Sequence, residues 1–361
     1  MFSSPLLRPA RTWLPPRLRE RIGRALGGPP RGTVRKEFRA AIFQLDRLGD
    51  FVLTVSALRT MLAVWGEERC LLVVSQAAAP LAACEFPRTP RVVLPDLAPS
   101  LTRHLVPAWW RERRQFRGIA CERVVCLSHH RDLYKQVVLS WIATDRLHLL
   151  ERATYPTVHA EGWCLELVAH QRLAEAALGR ALASDEVLPR LTSIQATDGE
   201  TLVVCPLASE PIRRVPESVL VPALARWRNR SRAPITLSGP SGAAAELARL
   251  AATLHAAAPG PIEVAAGDSF GEFLARLARA GAVLAAESGP GHLATALDKR
   301  AVIAVGGGLH GLCAPWRRSA RQTIAEHATP CYHCGWHCTQ PGVPCLSGVD
   351  PAAIADALPT L

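Results

Sequence analysis

The chain has 361 residues, of which 49% are hydrophobic and 20% are charged, and its formal net charge is +11. Because a single hydrophobic core stops growing at roughly 250–300 residues, this length predicts two domains. Eleven cysteines without a secretory segment at the N-terminus indicate reduced thiols in a cytoplasmic protein rather than a disulfide framework. No apolar run reaches the roughly 20 residues of a membrane span, so we expect no transmembrane helix.

Most of the positive charge lies in a basic N-terminal segment, residues 1–39. Residues 1–40 contain nine Arg and one Lys against two Glu, which accounts for +8 of the total. Tryptophan and leucines among the arginines suit peripheral binding to an anionic membrane surface, and a solvated tail fits the segment equally well. A transit peptide is a weaker third interpretation. No basic helix with interleaved aromatics recurs in the chain, so nucleic acid is not an expected partner.

Between residues 40 and 190, short β-branched runs alternate with longer Ala/Leu/Arg stretches, which is typical of an α/β domain. Helices are predicted over 51–65 and 162–183. The predicted strands are AIFQL (41–45), CLLVV (70–74), RVVL (91–94), RVVCL (123–127) and RLHLL (146–150). A polar stretch with Pro189 and Gly199 then indicates a linker and a domain boundary near residue 190.

From residue 191 to 361 the alternation starts again. The β-branched runs TLVVCPL, APITLSG, IEVAAG, AGAVLAAE and RAVIAVGGG predict strands, separated by helical segments. Two successive parallel-sheet domains with loops at the carboxyl ends of their strands would face each other across a cleft that suits a nucleotide or sugar. The predicted fold class is therefore α/β, with two Rossmann-like domains.

The turn ESGPGH (287–292) follows one predicted strand and opens a predicted helix. A helix N-terminus with free N–H groups, small residues and a Ser hydroxyl suits an anion, and phosphate is the expected ligand. The alternative is that Ser288 simply caps the helix and the glycines shape the turn.

Two further loops carry charged residues at strand ends. In FQLDRLGD (43–50), Asp50 lies at or near the start of a helix, where it serves as an N-cap or accepts a proton from an attacking hydroxyl. In PLASEPIRRVP (206–216), Ser209, Arg213 and Arg214 precede a helix predicted to start at Pro216, and two arginines beside a strand end suit a diphosphate.

The order of RLGDFVLTVSALR, PLASEPIRRVP, ITLSGP and GDSFGEFLARLARAGAVLAAESGPGHLATAL resembles the heptosyltransferases of glycosyltransferase family 9. The resemblance covers most of the chain from about residue 40 onward and is most specific in the last segment. It implies a GT-B fold, with the active site between two Rossmann-like domains. It also implies transfer of heptose, with inversion, from ADP-L-glycero-D-manno-heptose to lipopolysaccharide inner-core acceptors at the cytoplasmic face of the inner membrane.

The resemblance also implies roles for individual residues. Asp50 matches the acidic residue of the R-L-G-D motif, the general base of the family. Arg213 stands where the family usually has a Lys that contacts the donor phosphates, with Arg214 beside it. Transfer would then need no metal at the diphosphate, because Arg213 and a helix N-terminus offset the charge on the leaving ADP. The family's [ST]-G-x-x-H turn, which holds the ADP part of the donor, is matched by Ser288, Gly289 and His292.

Two positions depart from the family pattern. Glu287 stands where the turn usually begins with Asp, which puts the donor sugar in question. Val215 stands where the family usually has Trp. These departures leave open a catalytically degenerate sugar-nucleotide-binding module, a transferase with another nucleotide-sugar donor, or transfer to a protein.

The loop LSHHRDLYK (127–135) follows a strand of the first domain, from which acceptor contacts come in this architecture. His129, His130 and Arg131 suit phosphate or carboxylate groups of a lipid A–Kdo type glycolipid. The alternative is an ordinary polar loop.

The C-terminal segment CYHCGWHCTQPGVPCL contains a cysteine cluster spaced C-x2-C-x3-C-x6-C. Four thiolates suit a structural Zn or Fe, although the spacing after the first CxxC is not that of a common finger. Reduced structural thiols are an equal alternative, and a redox pair is a weaker one. A protein-heptosylating branch of the family has an iron-binding finger with four cysteine ligands. The candidate metal ligands are Cys331, Cys334, Cys338 and Cys345, with His333 and His337 as substitutes.

Overall fold

The computed structural model describes residue 29 and residues 36–96, 107–128, 133–142, 144, 146–149 and 163–361. Residue contacts divide the chain into two compact units. The first unit comprises the chain up to Phe51 with Ala57–Arg152 and Ala169–Ala183, and the second comprises Val52–Ser56, Ala153–Val168 and Ser184–Leu361. Most of the basic N-terminal segment lies outside the described residues, as do His129, His130 and Arg131.

The first unit is built on a parallel sheet with the strand order β3-β2-β1-β4-β5. All five predicted strands are confirmed, and the central strands β1 and β2 are almost continuously buried where they pair. The strands are Lys36–Gln44 (β1), Cys70–Ser75 (β2), Arg91–Leu94 (β3), Ile119–Cys126 (β4) and Arg146–Leu149 (β5).

The described helices before residue 183 include the two that the sequence predicts. They are Leu48–Trp65 (α1), Ala79–Glu85 (α2), Pro107–Arg114 (α3), Leu133–Leu139 (α4) and Leu165–Leu178 (α5). Helix α5 is shorter than predicted because Gly179 adopts a positive φ of 71°, the left-handed conformation that ends helices. Among the described helices, α1 is the one whose length and composition would allow a membrane span, and 61% of it is buried within the protein.

The second unit contains a six-stranded parallel sheet with the order β11-β10-β9-β6-β7-β8. Five of the strands were predicted. The sixth, β11, lies at an edge, and its sequence QTIAE mixes polar and apolar residues in place of the continuous apolar run of a buried strand. The strands are Leu202–Cys205 (β6), Ile235–Gly239 (β7), Ile262–Ala266 (β8), Ala282–Ala286 (β9), Ala301–Val305 (β10) and Gln322–Glu326 (β11).

The helices of the second unit pack with this sheet, and the last of them lies near the C-terminus. They are Glu217–Arg228 (α6), Ala244–Ala257 (α7), Phe270–Arg279 (α8), Gly289–Ala296 (α9), Pro344–Ser347 (α10) and Pro351–Ala357 (α11). Trp227 of α6 is fully buried, and its indole N–H donates to the carbonyl of Pro359 at 2.8 Å. The carboxylate of Asp350 caps α11 by accepting from the N–H of Ala352 at 2.8 Å. The C-terminal helix therefore packs on the body of this unit.

Candidate functional site

The candidate site lies at the carboxyl edge of the second sheet, where the strand order changes direction. From β6 the chain proceeds outward through β7 and β8, and β9, β10 and β11 occupy the opposite side. The loops that follow β6 and β9 therefore leave neighbouring strands in opposite directions and open a crevice between them. Arg213 lies in the first of these loops, and Glu287 begins the second.

Arg213 is bound to the turn at Glu287. Its Nη2 donates to the Glu287 carbonyl at 2.6 Å and lies 3.5 Å from the Glu287 carboxylate. The Glu287 side chain is almost fully buried, whereas the Arg213 side chain is 19% exposed. Among the described residues, the buried Nε of Arg213 has no hydrogen-bond partner. The guanidinium therefore keeps donor capacity for a further acceptor while its position is held by the turn.

Ser288 occupies the N-cap position of α9 without capping the helix through its side chain. Its hydroxyl instead donates to the carbonyl of Ala286 at 3.2 Å. The turn packs tightly, because a Cβ at Gly291 would lie 2.8 Å from the same carbonyl oxygen. The N–H groups at the start of α9 are therefore not satisfied by the serine, and the positive end of the helix dipole is available to an anion.

His292 lies in the first turns of α9 and is held as a neutral imidazole. Its Nδ1 accepts a hydrogen bond of 2.9 Å from the indole N–H of Trp316, so the ring proton resides on Nε2. Burial, with a smaller contribution from the positive charge of Arg213, lowers the pKa of His292 from 6.5 to about 3. His292 therefore presents an uncharged N–H donor across the neutral pH range.

The structure does not bring every predicted donor residue to this crevice. Arg214 turns toward α7, where its Nη1 lies 2.8 Å and 3.0 Å from the two carboxylate oxygens of Glu246. Ser209 is exposed in the loop after β6. The helix predicted to start at Pro216 begins at Glu217, with Pro216 as its N-cap residue. Arg213, Glu287, Ser288 and His292 form the compact part of the predicted set.

In the first unit, Asp50 is placed on the first turn of α1 and not at its cap. The N-cap residue is Arg47, and its backbone N–H donates to the Asp50 carboxylate at 3.2 Å. Asp50 is half-buried. Nearby in the chain, Asp46 forms an ion pair with Lys135 of α4, in which both side chains are less than 10% exposed. Sequence reasoning missed this pair, because no spacing links residues 89 positions apart.

The cysteine-rich segment, residues 331–345, covers the glycine loop Gly306–Gly308 that follows β10. The N–H groups of His333 and Gly335 donate to the carbonyls of Gly307 and Gly308, both at 2.8 Å. The segment therefore folds beside the candidate site, a placement that its spacing alone does not predict.

The four thiols of the segment lie near one another without forming a ligand set. Burial raises the pKa of Cys345, and the neighbouring sulfurs of Cys331, Cys334 and Cys338 raise it further. The Sγ of Cys338 donates to the carbonyl of Gln340 at 3.4 Å. Among the described residues, no group of three or more His, Cys, Asp or Glu side chains is arranged to hold a metal ion.

The parallel sheet of each unit, with a turn at the switch point of the second sheet, matches the expected GT-B fold. Residues 175–338 match the model of glycosyltransferase family 9 (heptosyltransferase). The expected α/β fold and enzyme class are thereby confirmed. No curated protein matches the chain.

Solved structures with the same fold have low sequence identity to this chain. The family 9 glycosyltransferase of Veillonella parvula is 14% identical, with a TM-score of 0.66, over 91% of this chain and 97% of that one. The E. coli heptosyltransferase WaaC with ADP-2-deoxy-2-fluoro heptose is 16% identical, with a TM-score of 0.58, over 82% and 97%. The iron-containing dodecameric glycosyltransferase TibC from enterotoxigenic E. coli is 11% identical, with a TM-score of 0.52, over 90% and 76%.

Proposed function

We propose that this chain is an inverting glycosyltransferase that transfers heptose from ADP-L-glycero-D-manno-heptose to a lipopolysaccharide inner-core or related glycan acceptor. The observation that carries the proposal is the convergence of the Arg213 guanidinium, the start of α9 and the neutral imidazole of His292. A guanidinium group, backbone N–H groups and a neutral N–H donor are the groups that recognise a diphosphate. The ligand of WaaC supports an ADP-heptose donor by analogy.

In this proposal the second unit stabilises the leaving group. Negative charge develops on the ADP as the bond between the sugar and the diphosphate breaks. The fixed charge of Arg213 and the α9 dipole offset that charge without rearranging, because both are held by the surrounding turn. The Nε2–H of His292 adds a donor whose protonation state does not change near neutral pH.

Asp50 is the proposed general base, an assignment that rests on the R-L-G-D motif. Its carboxylate accepts from the N–H of Arg47, which fixes its orientation on the first turn of α1. The carboxylate would take the proton of the acceptor hydroxyl as the new glycosidic bond forms. The proposed acceptor contacts, His129, His130 and Arg131, rest on the sequence alone.

We also propose that the cysteine-rich segment binds a structural Zn or Fe through Cys331, Cys334, Cys338 and Cys345. Four thiols in one short segment suit either metal. Ligation would require the thiols to move together from their described positions. When bound, the metal would supply structural cross-linking and no step of the transfer. Elemental analysis of the purified protein tests this proposal, since a Cys334→Ser/Cys338→Ser variant should lose the metal.

The proposed location is the cytoplasmic face of the inner membrane, where the acceptor would be assembled. The charge of +8 in residues 1–40 supports peripheral attachment to anionic lipid. Sedimentation of the full chain with vesicles of anionic phospholipid tests this, and neutral vesicles serve as the control.

The direct test of the function is a transfer assay with the full chain, ADP-heptose and a Kdo–lipid A acceptor. The proposal expects ADP release that depends on the acceptor, together with a product heavier by one heptose. Arg226→Ala is a matched control, because Arg226 is exposed and pairs with Asp356 at 3.3 Å. Donor binding without transfer would favour a non-catalytic sugar-nucleotide-binding module. The contacts of Glu287 to Arg213 give that alternative its specific support, because they engage the cation that the diphosphate needs.

A further inference from the structure

The cysteine-rich segment places an aromatic ring beside the proposed diphosphate site. The guanidinium carbon of Arg213 lies 5.8 Å from the centre of the Trp336 ring, within the range of a cation–π contact. Arg213 belongs to the loop after β6, and Trp336 lies more than a hundred residues later in the chain. No motif in the sequence links the two residues.

The position of Trp336 is determined by the glycine loop beneath it. A Cβ at Gly306 would lie 2.4 Å from Cη2 of Trp336, and a Cβ at Gly308 would lie 2.3 Å from its Cδ2. Carbon atoms do not approach so closely, so the ring can occupy this place only because both positions are glycine. The backbone hydrogen bonds from the segment to Gly307 and Gly308 hold it in register. The Trp336 ring is therefore packed closely on the glycine loop and is not a loosely placed surface side chain.

The glycine loop also links the contact between Arg213 and Trp336 to the turn at Glu287. It directly follows β10, and the N–H of Glu287 donates to the carbonyl of Ala304 in that strand at 2.9 Å. Arg213 is thus held from two sides, by the carbonyl of Glu287 and by the face of Trp336. Among the described residues, neither the Nε of Arg213 nor the Nε1 of Trp336 has a hydrogen-bond partner. Of the two, the Nε of Arg213 is the donor that a diphosphate oxygen would satisfy.

We propose that Trp336 is a positioning residue for Arg213, and that the cysteine-rich segment thereby forms one wall of the nucleoside-diphosphate site. This inference rests on the proposed function, because it assigns Arg213 to the diphosphate. The ring holds the guanidinium plane in a fixed orientation before the ligand binds. The conformational entropy of the Arg213 side chain is then lost when the protein folds and not when the ligand binds.

The test measures ADP affinity by titration calorimetry on the full chain with Trp336→Phe and Trp336→Leu. Both variants retain an apolar side chain over the glycine loop, but only Phe retains a ring face. The inference expects Phe to bind within about twofold of the wild type and Leu to bind about five- to tenfold more weakly, a change that a cation–π contact of ordinary strength produces. In an Arg213→Ala background, the Leu substitution should change the affinity by less than about twofold, because the contact is already absent.

The outcomes separate this inference from the proposed function. If the wild type binds no ADP, the proposed donor site is wrong and this inference fails with it. If the wild type binds ADP and the Phe and Leu variants bind it equally, Trp336 does not position Arg213, and the proposed donor site stands. An equal loss from the Leu substitution with and without Arg213 would show a general packing role and would also overturn the inference.

Discussion

The indole N–H of Trp316 donates a 2.9 Å hydrogen bond to Nδ1 of His292, and both side chains are buried. This contact determines which ring nitrogen carries the proton. It also opposes protonation of the ring, since a charged imidazole could not accept the bond. His292 is therefore held as a neutral donor by a residue from the loop between β10 and β11.

The buried neutral state of His292 predicts how stability depends on pH. The pKa of this group lies near 3 in the folded protein and at 6.5 in its ordinary state, so only the unfolded chain takes up the proton between these values. Its contribution to stability is complete above pH 6.5 and is lost as the pH falls toward 3. Between pH 7 and pH 5 the wild type should lose about 2 kcal/mol of unfolding free energy through this group.

Urea unfolding of His292→Gln at both pH values measures this contribution. The variant should lose about 2 kcal/mol less than the wild type on acidification. His255→Gln is the matched control, because His255 is exposed on α7. Equal acid sensitivity of the His292 variant and the wild type would contradict a neutral buried His292.

The two adjacent arginines should differ in their effect on donor binding. Arg213 contacts the turn at Glu287, whereas Arg214 pairs with Glu246 on α7. Hydrogen bonds to charged groups contribute about 1.5–3 kcal/mol, so Arg213→Ala should weaken ADP binding by about tenfold or more. Arg214→Ala should weaken it by less than about threefold, as expected for a partly exposed pair. Equal losses in calorimetric titrations would contradict the distinction.

Asp50→Asn should separate binding from transfer. A general base contributes about 10²–10⁴-fold to the rate, so transfer should fall by at least about 100-fold. ADP affinity should stay within about twofold, because a base is needed only for transfer. The paired measurements are acceptor-dependent ADP release and calorimetric titration with ADP. Loss of ADP binding together with transfer would make the assignment as a base wrong.

The contact between the cysteine-rich segment and the glycine loop should be sensitive to a single methyl group. A Cβ at Gly307 would lie 2.2 Å from Cδ1 of Tyr332, so Gly307→Ala should destabilise the protein by about 1–3 kcal/mol. Gly242→Ala is the matched control, because nothing lies within 4 Å of a Cβ there. Its effect on the unfolding free energy should stay within about 0.5 kcal/mol. Equal effects in urea unfolding would show that the segment does not pack on this loop.

The strands and the turn at Glu287–Gly289 were predictable because both depend on local patterns. Buried parallel strands require short β-branched runs, and the carboxyl ends of such strands meet at one edge, which is why Arg213 and Glu287 come together. The edge strand β11 was missed because its sequence, QTIAE, contains no continuous apolar run. Local patterns thus predicted the strands that carry the site and the two loops that form it.

The supporting contacts were not predictable, because they join residues far apart in the chain. Trp316 and Trp336 reach the site from loops without periodicity, and only the three-dimensional path of those loops places them there. The divergence of Arg213 and Arg214 has a backbone cause. The short 3-10 turn ends at Arg213, and Arg214 is extended, with φ −72° and ψ 149°, so the two side chains point to different sides.

We propose that the turn at Glu287–Gly289, with Arg213 and His292, binds the diphosphate of an ADP-linked sugar. Titration calorimetry of the full chain with ADP, UDP and GDP tests it most directly. We expect ADP to bind in preference to UDP and GDP, and we expect Arg213→Ala to remove most of this affinity. Preference for UDP or GDP, or no binding of any of the three, would contradict it.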